Sequence, residues 1–226
     1  MCGIYIVLGA LLCRKFLASE RKREGFPALA AILIFGGALA LRLILGVMYT
    51  GYETDMNTFK AWAGLADSMG LNHIYYSDIF LDYPPGYLYI LWFLEKLRQL
   101  IGLETGGSGF TLLIKLPSIV ADLVCGWLLY SFVQKRTDAA KGMLAAALYL
   151  FCPAVLINST IWGQADSFCV LLLLIAMLFL VREKVGWKAA AGAMYGVSIM
   201  MKPQMLLFAP VFLFFVLKKK DWKGLL

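Results

Sequence analysis

Histidine is almost missing from these 226 residues: His73 stands alone, which excludes a metal centre built on several imidazoles. The five cysteines (Cys2, Cys13, Cys125, Cys152, Cys169) are scattered singly through apolar runs, with no pair at metal-ligand spacing. They read as buried structural thiols. Neither a Walker-type glycine-lysine loop nor a dinucleotide glycine fingerprint occurs, so no phosphate-cradling loop of those kinds is present. Charge is scarce as well, at 15% of the chain. There is no repeat clear enough to support an inverted-repeat transporter.

What fills the chain instead is hydrocarbon. Hydrophobic residues make up 62% of the sequence and the mean hydropathy is +0.78, more apolar surface than a soluble domain can bury. The composition specifies an integral membrane protein of all-α, polytopic type. A formal charge of +7 could point to nucleic acid, but 15 of the 21 lysines and arginines flank apolar runs in four short clusters. These are Arg14, Lys15, Arg21, Lys22 and Arg23; Lys135, Arg136 and Lys141; Arg182, Lys184 and Lys188; and Lys218, Lys219, Lys220 and Lys223. Such clusters set membrane orientation and are assigned to the cytoplasm, leaving no nucleic-acid partner.

Four cytoplasmic anchors define three excursions. The first rises from Phe26 to Met48 and returns from Phe110 to Gln134, with a loop of about sixty residues on the far side. The second rises from Met143 to about Thr160, turns at IWGQADS (161–167) and descends from Phe168 to Val181. The third rises from Ala189, turns near Met201-Lys202-Pro203-Gln204 and descends to Leu217; its arms are short, and a reentrant hairpin stays open. Residues 84–101 are apolar but carry Glu95, Lys96, Arg98 and Gln99. As a span they would put Lys135, Arg136 and Lys141 outside, so they read as an amphipathic helix in the outer interface. Asp55 to Met69 reads the same way, with Phe59, Trp62, Ala63 and Ala66 at helical spacing and Gly70 ending the helix.

Residues 1–25 form an apolar segment and basic linker. Met1–Cys13 is too short for a span and lacks the charge order of a signal peptide; it reads as a helix tail or a short extra helix. Residues 26–226 form the transmembrane module, expected to be incomplete at its C-terminal end, so that the chain reads as a fragment or the N-terminal half of a longer protein.

The first far-side loop and its flanks hold half of all the carboxylates: Glu53, Asp55, Asp67, Asp78, Asp82, Glu95 and Glu104. Asp67, Asp78 and Glu104 read as a solvated surface. Asp55, just past the first span and opening an amphipathic helix, is either a helix cap or a functional acid. Asp82-Tyr83-Pro84-Pro85-Gly86 fixes a rigid turn, since each proline locks its own φ and restricts the residue before it. The tip Trp162-Gly163-Gln164-Ala165-Asp166-Ser167 concentrates an indole, an amide, a carboxylate and a flexible glycine where small polar residues would suffice. Lys202, in an apolar KPQ turn, either meets an anion or snorkels to the interface. Arg42 and Asp122 lie inside spans, where isolated charges are costly, and are expected to pair with each other or with polar neighbours.

The order of these elements carries a resemblance. An acid after the first span with an aromatic seven positions on (Asp55, Trp62) is followed by DYPP and by a Lys-Leu-Pro helix with an internal Asp (Lys115 to Asp122). Pro153, the WGQADS tip and Lys202-Pro203-Gln204 complete the series. Over residues 26–217 this resembles the N-terminal half of the GT-C superfamily of polyprenyl-phosphate-sugar-dependent glycosyltransferases. It is particularly similar to bacterial proteins related to the GPI mannosyltransferases, and the DYPP element is shared with the glucosyltransferases of asparagine-linked glycan assembly.

The resemblance implies a GT-C-like helical bundle whose large first extracytoplasmic loop contains amphipathic interfacial helices, in a bacterial plasma membrane. It also implies inverting transfer of mannose or another hexose from a polyprenyl-phosphate donor to a glycan, lipid or protein acceptor. Asp55 would be the base. Asp82, Tyr83, Trp162, Gln164, Asp166, Lys202 and Gln204 would contact substrate, with Lys202 near the phosphate. No cofactor is assigned, and a divalent cation (Mg or Mn) held at Asp166 stays open. Rival readings are a lipid-glycan flippase or small-solute transporter, which moves its substrate unchanged, and a noncatalytic membrane scaffold, in which Asp55 could be replaced without loss.

Overall fold

The computed structural model describes residues 28–182 and 185–218. The first apolar run, Met1–Cys13, and the first basic cluster lie outside these residues. Among the described residues every regular element is helical. Helix α1 (Ala28–Met48) has 21 residues, about 31 Å at 1.5 Å per residue, and matches a hydrocarbon core of about 30 Å. Helices α2 (Glu53–Met69) and α3 (Pro85–Ile101) form the connection between α1 and the next long apolar helix, with a short 3₁₀ turn at Ile74–Tyr76 between them. Helix α4 (Ser108–Gln134) returns across the bilayer with Pro117 inside it.

The second excursion is a broken helix. α5 (Ala139–Leu150) ends at Phe151 and Cys152, and α6 (Pro153–Leu156) resumes through a π-helical turn, Ile157–Trp162, bent by 48° from α5. Proline cannot donate a backbone hydrogen bond to the preceding turn, which accounts for a break at this place. α7 (Asp166–Leu180) descends, α8 (Val185–Met201) rises, and a 3₁₀ segment (Pro203–Phe208) leads into α9 (Ala209–Lys218). Among the described residues two helices, α1 and α4, are long and apolar enough to cross a membrane alone, with a third candidate if the bent α5–α6 unit is one span. This is an all-helical membrane protein. The third excursion has two short arms, as its sequence implies.

α4 is the central post: α1, α5 and α7 all pack on it, while α2 packs on α3 and α8 on α7. One face of α2 (Met56, Phe59, Trp62, Ala63, Ala66) and one face of α3 (Tyr87, Leu88, Leu91, Leu94) close on each other and on Phe110, Ile114, Cys169 and Met201. α3 also leaves Tyr89, Phe93, Leu100 and Ile101 exposed, the second apolar face that an interfacial helix requires.

The intramembrane charges are internally satisfied. Arg42 is fully buried, donating from Nε to Asp122 Oδ2 at 3.1 Å and from its terminal nitrogens to the carbonyls of Ala38 and Leu150. Asp122 also accepts from Ser159 at 2.6 Å and Tyr149 at 3.4 Å. The Leu150 carbonyl stands at the end of α5, where the break removes its helical donor. The expected Arg42–Asp122 pair therefore does more than neutralise charge: it stitches the first span to the broken helix that carries the WGQADS tip.

Candidate active site

All the elements that bear polar motifs meet at one end of the bundle. α2 begins four residues after Tyr49, the tyrosine that follows α1, and the connection is tied to the distant tip by Tyr52 N–H donating to the Trp162 carbonyl at 2.9 Å. Gly51 and Gly163 make this junction possible. Both hold positive φ (94° and 91°), and a Cβ on either would strike the Met56 side chain at 2.5 and 2.7 Å. Asp55 then projects from the first turn of α2 towards the tip. Its Oδ2 accepts from Trp162 Nε1 at 2.9 Å and from the Gln164 side-chain amide.

The helix-cap reading of Asp55 is thereby corrected. The cap position is Tyr52, whose side chain makes no capping bond, and the Asp55 carboxylate is engaged across 107 to 109 residues of sequence rather than by its own helix.

Gln164 has a second partner. Its Oε1 accepts from Lys202 Nζ at 3.1 Å, so one amide links the aspartate to the lysine and its orientation is set by both. Lys202 also reaches Asp166 Oδ1 at 2.5 Å and lies 5.6 Å from the centre of the Tyr83 ring. The snorkelling alternative is corrected too: Lys202 is 7% exposed and points into the site. Burial opposes its charge, but the Asp166 hydrogen bond and carboxylate, helped by the Tyr83 phenol, more than offset this and hold its pKa above the ordinary lysine value. The anion it meets within the chain is Asp166.

Asp166 is itself doubly engaged, since Asn158 Nδ2 donates to Oδ2 at 3.0 Å. A divalent cation there would have to displace an ammonium, and the described residues contain no group of three or more His, Cys, Asp or Glu able to hold a metal. Asp166 does not fit a cation site in this arrangement.

The DYPPG turn delivers Tyr83. Tyr75 donates to the Tyr83 carbonyl at 3.0 Å, and the Tyr83 ring packs among Phe59, Trp62 and Tyr87 at 5.3 to 5.9 Å. Burial pushes the Tyr83 phenol above its usual pKa, so it stays protonated and can donate. Gly86 permits this approach: a Cβ there would lie 2.6 Å from the Met200 carbonyl oxygen, so only glycine lets the start of α3 touch the end of α8 beside Lys202.

Together these groups surround a cavity of about 440 Å³. Asp55, Asp82, Tyr83, Trp162, Gln164, Asp166, Lys202 and Gln204, the residues singled out from the motifs, all line it. The sequence reading missed Thr58, Phe80 and Asn158 as lining residues. Asn158 lies within the apolar run that reads as the end of a span. Phe80 faces the cavity because Trp62 Nε1 donates to its carbonyl at 2.9 Å, a contact no local pattern announces. Chemically, the cavity offers carboxylates able to take a proton, a cation already paired with one of them, and aromatic walls.

The dolichyl-phosphate-mannose-protein mannosyltransferase family model matches residues 82–226. The chain is 26% identical over 215 residues to a dolichyl pyrophosphate Glc1Man9GlcNAc2 alpha-1,3-glucosyltransferase of Arabidopsis thaliana, covering 90% of this chain and 41% of the relative. It is 24% identical over 216 residues to the enzyme of the same description from Saccharomyces cerevisiae, covering 89% and 37%. A probable enzyme of that description in Drosophila melanogaster is 25% identical over 199 residues, covering 82% and 38%. The chain thus spans about two fifths of the length of these curated relatives. No solved structure matches it. The motif order, the single cavity where the motifs converge and the match over most of the chain agree: the chain belongs to the dolichyl-phosphate-mannose-protein mannosyltransferase family, within the GT-C superfamily.

Proposed function

We propose that this chain carries the active-site half of an enzyme that transfers a hexose, with inversion, from a polyprenyl-phosphate donor to a hydroxyl acceptor outside the cytoplasm. The observation that carries the reading is the Asp55 carboxylate, held from Oδ2 by Trp162 and Gln164 at the wall of the cavity. Among the described residues no hydrogen bond falls on Oδ1, which leaves that oxygen for an acceptor O–H.

The sugar of such a donor is already attached to a good leaving group, so the protein's work is to remove one proton and to steady negative charge. Asp55 takes the acceptor proton as the acceptor oxygen bonds to the anomeric carbon. The bond from that carbon to the phosphate oxygen breaks on the opposite face, its electron pair leaving on polyprenyl phosphate. Lys202 faces the departing phosphate and must loosen from Asp166 to do so. The Tyr83 phenol adds a donor, and the indole and tyrosine faces suit pyranose rings. Mannose and glucose both remain candidate donors, since the family description names the first and the relatives' names the second. The acceptor is a glycan, lipid or protein, and a bacterial plasma membrane is the proposed setting.

The test is sugar transfer by the full-length protein in detergent from synthetic polyprenyl-phosphate-mannose and polyprenyl-phosphate-glucose, wild type against Asp55→Asn. The variant is expected to lose kcat by about 10²- to 10⁴-fold, the usual range for a general base, with donor binding retained. Transfer that survives the substitution removes Asp55 from the mechanism. Absence of transfer with either donor in the wild type returns weight to the flippase or scaffold.

A further inference from the structure

The Lys-Leu-Pro stretch of α4 has no part in the chemistry above, yet its lysine is among the most unusual groups in the molecule. Lys115 is 1% exposed, and among the described residues no carboxylate pairs with it. A buried ammonium is costly unless fixed dipoles replace its water. Here the dipoles are carbonyls: Nζ donates to Tyr49 at 2.6 Å and to Gly46 at 3.4 Å. Gly46 lies in the last turn of α1 and Tyr49 directly follows that helix, whose last turn contains no basic residue of its own. α1 thus ends with unsatisfied acceptors and a negative dipole end, and receives its cation from a helix 66 to 69 positions away.

The place where this cation acts matters more than its energy. Tyr49 is followed by Gly51 and by Tyr52, whose N–H meets the Trp162 carbonyl, and then by the first turn of α2 with Asp55. On the other side, a Cβ on Gly163 would lie 3.1 Å from Lys115 Cε, so the lysine stem also floors the WGQ turn. One turn along the same helix, Ser118 Oγ donates to the Gln164 carbonyl at 2.8 Å. A single face of α4 therefore grips both strips of chain that hold the Asp55 carboxylate, one from each side.

We infer that Lys115 is a positioning residue for Asp55. It acts through the backbone at Tyr49 and Tyr52 to set the distance between the carboxylate and the Trp162 and Gln164 donors, and it touches no substrate. This rests on the reading of Asp55 as base, but the geometric part can be judged without activity.

The experiment uses the full-length protein labelled with 5-fluorotryptophan, with the Trp162 resonance assigned through Trp162→Phe. Lys115→Met keeps the stem and removes the donors; Lys115→Gln, which keeps an amide donor, is carried alongside in case the first does not fold. In protein with wild-type monodispersity, the Trp162 fluorine resonance is expected to move in the direction seen for Asp55→Asn. The value of kcat should fall by about 10²-fold, the scale of a misplacement near 1 Å, with donor KM changed less than threefold. Lys115→Gln should fall between wild type and Lys115→Met. An unmoved Trp162 resonance in a folded variant overturns the inference whether or not transfer is detected. A moved resonance with no transfer in the wild type leaves the positioning intact and defeats the catalytic reading instead.

Discussion

At the scale of the residue, the site turns on the two ends of one amide. Gln164 donates to Asp55 from its nitrogen and accepts from Lys202 at its oxygen, a pair of roles that an ionised carboxylate of the same shape cannot fill. Gln164→Glu keeps the shape but replaces a donor by a negative oxygen facing a carboxylate, and adds a second anion beside Lys202. The expected outcome is at least a tenfold loss of kcat/KM for transfer with the detergent melting temperature within a few degrees of wild type. Steady-state kinetics with a matched thermal-shift assay checks both parts. Equal activity in the glutamate variant would show that the donor to Asp55 is dispensable.

At the scale of the element, close helix contact decides the geometry. The start of α3 meets the end of α8 only because Gly86 lacks a Cβ, and the obstacle is backbone, which cannot swing aside as a side chain would. Gly86→Ala should force the two helix ends apart and draw Tyr83 away from Lys202. Donor KM is then expected to rise more than fivefold, with a lower melting temperature, while Gly64→Ala, where a Cβ meets nothing, leaves both unchanged. Elements of this kind were partly legible beforehand. The periodicity of Phe59, Trp62, Ala63 and Ala66 announces α2, because a half-buried helix must repeat its apolar face. The break before Pro153 was not legible: Met143 to Thr160 reads as one continuous rise, whereas the helix stops at Leu150 and resumes at Pro153. What the sequence did not disclose is long-range: that Lys115 serves the end of another helix, or that Asn158 reaches Asp166 from a π-helical turn. Widening one turn shifts the register of every side chain in it, and no local rule foretells which helix end will lack its own cation.

At the scale of the whole molecule, the residues chosen by motif order surround one cavity because each belongs to a helix end at the same end of the bundle. In the orientation proposed from the basic clusters that end faces away from the cytoplasm, which a labelling experiment can check. Tyr76 is 82% exposed on the loop beside the site, whereas Arg136 follows the opposite end of α4. In protein freed of its native cysteines, Tyr76→Cys is expected to react with a membrane-impermeant maleimide in intact cells, and Arg136→Cys only after permeabilisation. Labelling of Arg136→Cys from outside would mean that residues 84–101 cross the bilayer, contrary to the interfacial reading.

Asp55 hangs from the end of one span, and Trp162 and Gln164 from the end of another that is bent by 48° and anchored at Leu150. Helices answer a change in hydrocarbon thickness by tilting, and a straight span and a bent one do not tilt alike. The hydrogen bonds around Asp55 therefore join a straight helix to a bent one, and under the function proposed above acyl chains too long or too short are expected to strain the carboxylate away from its donors, so that transfer rate follows bilayer thickness.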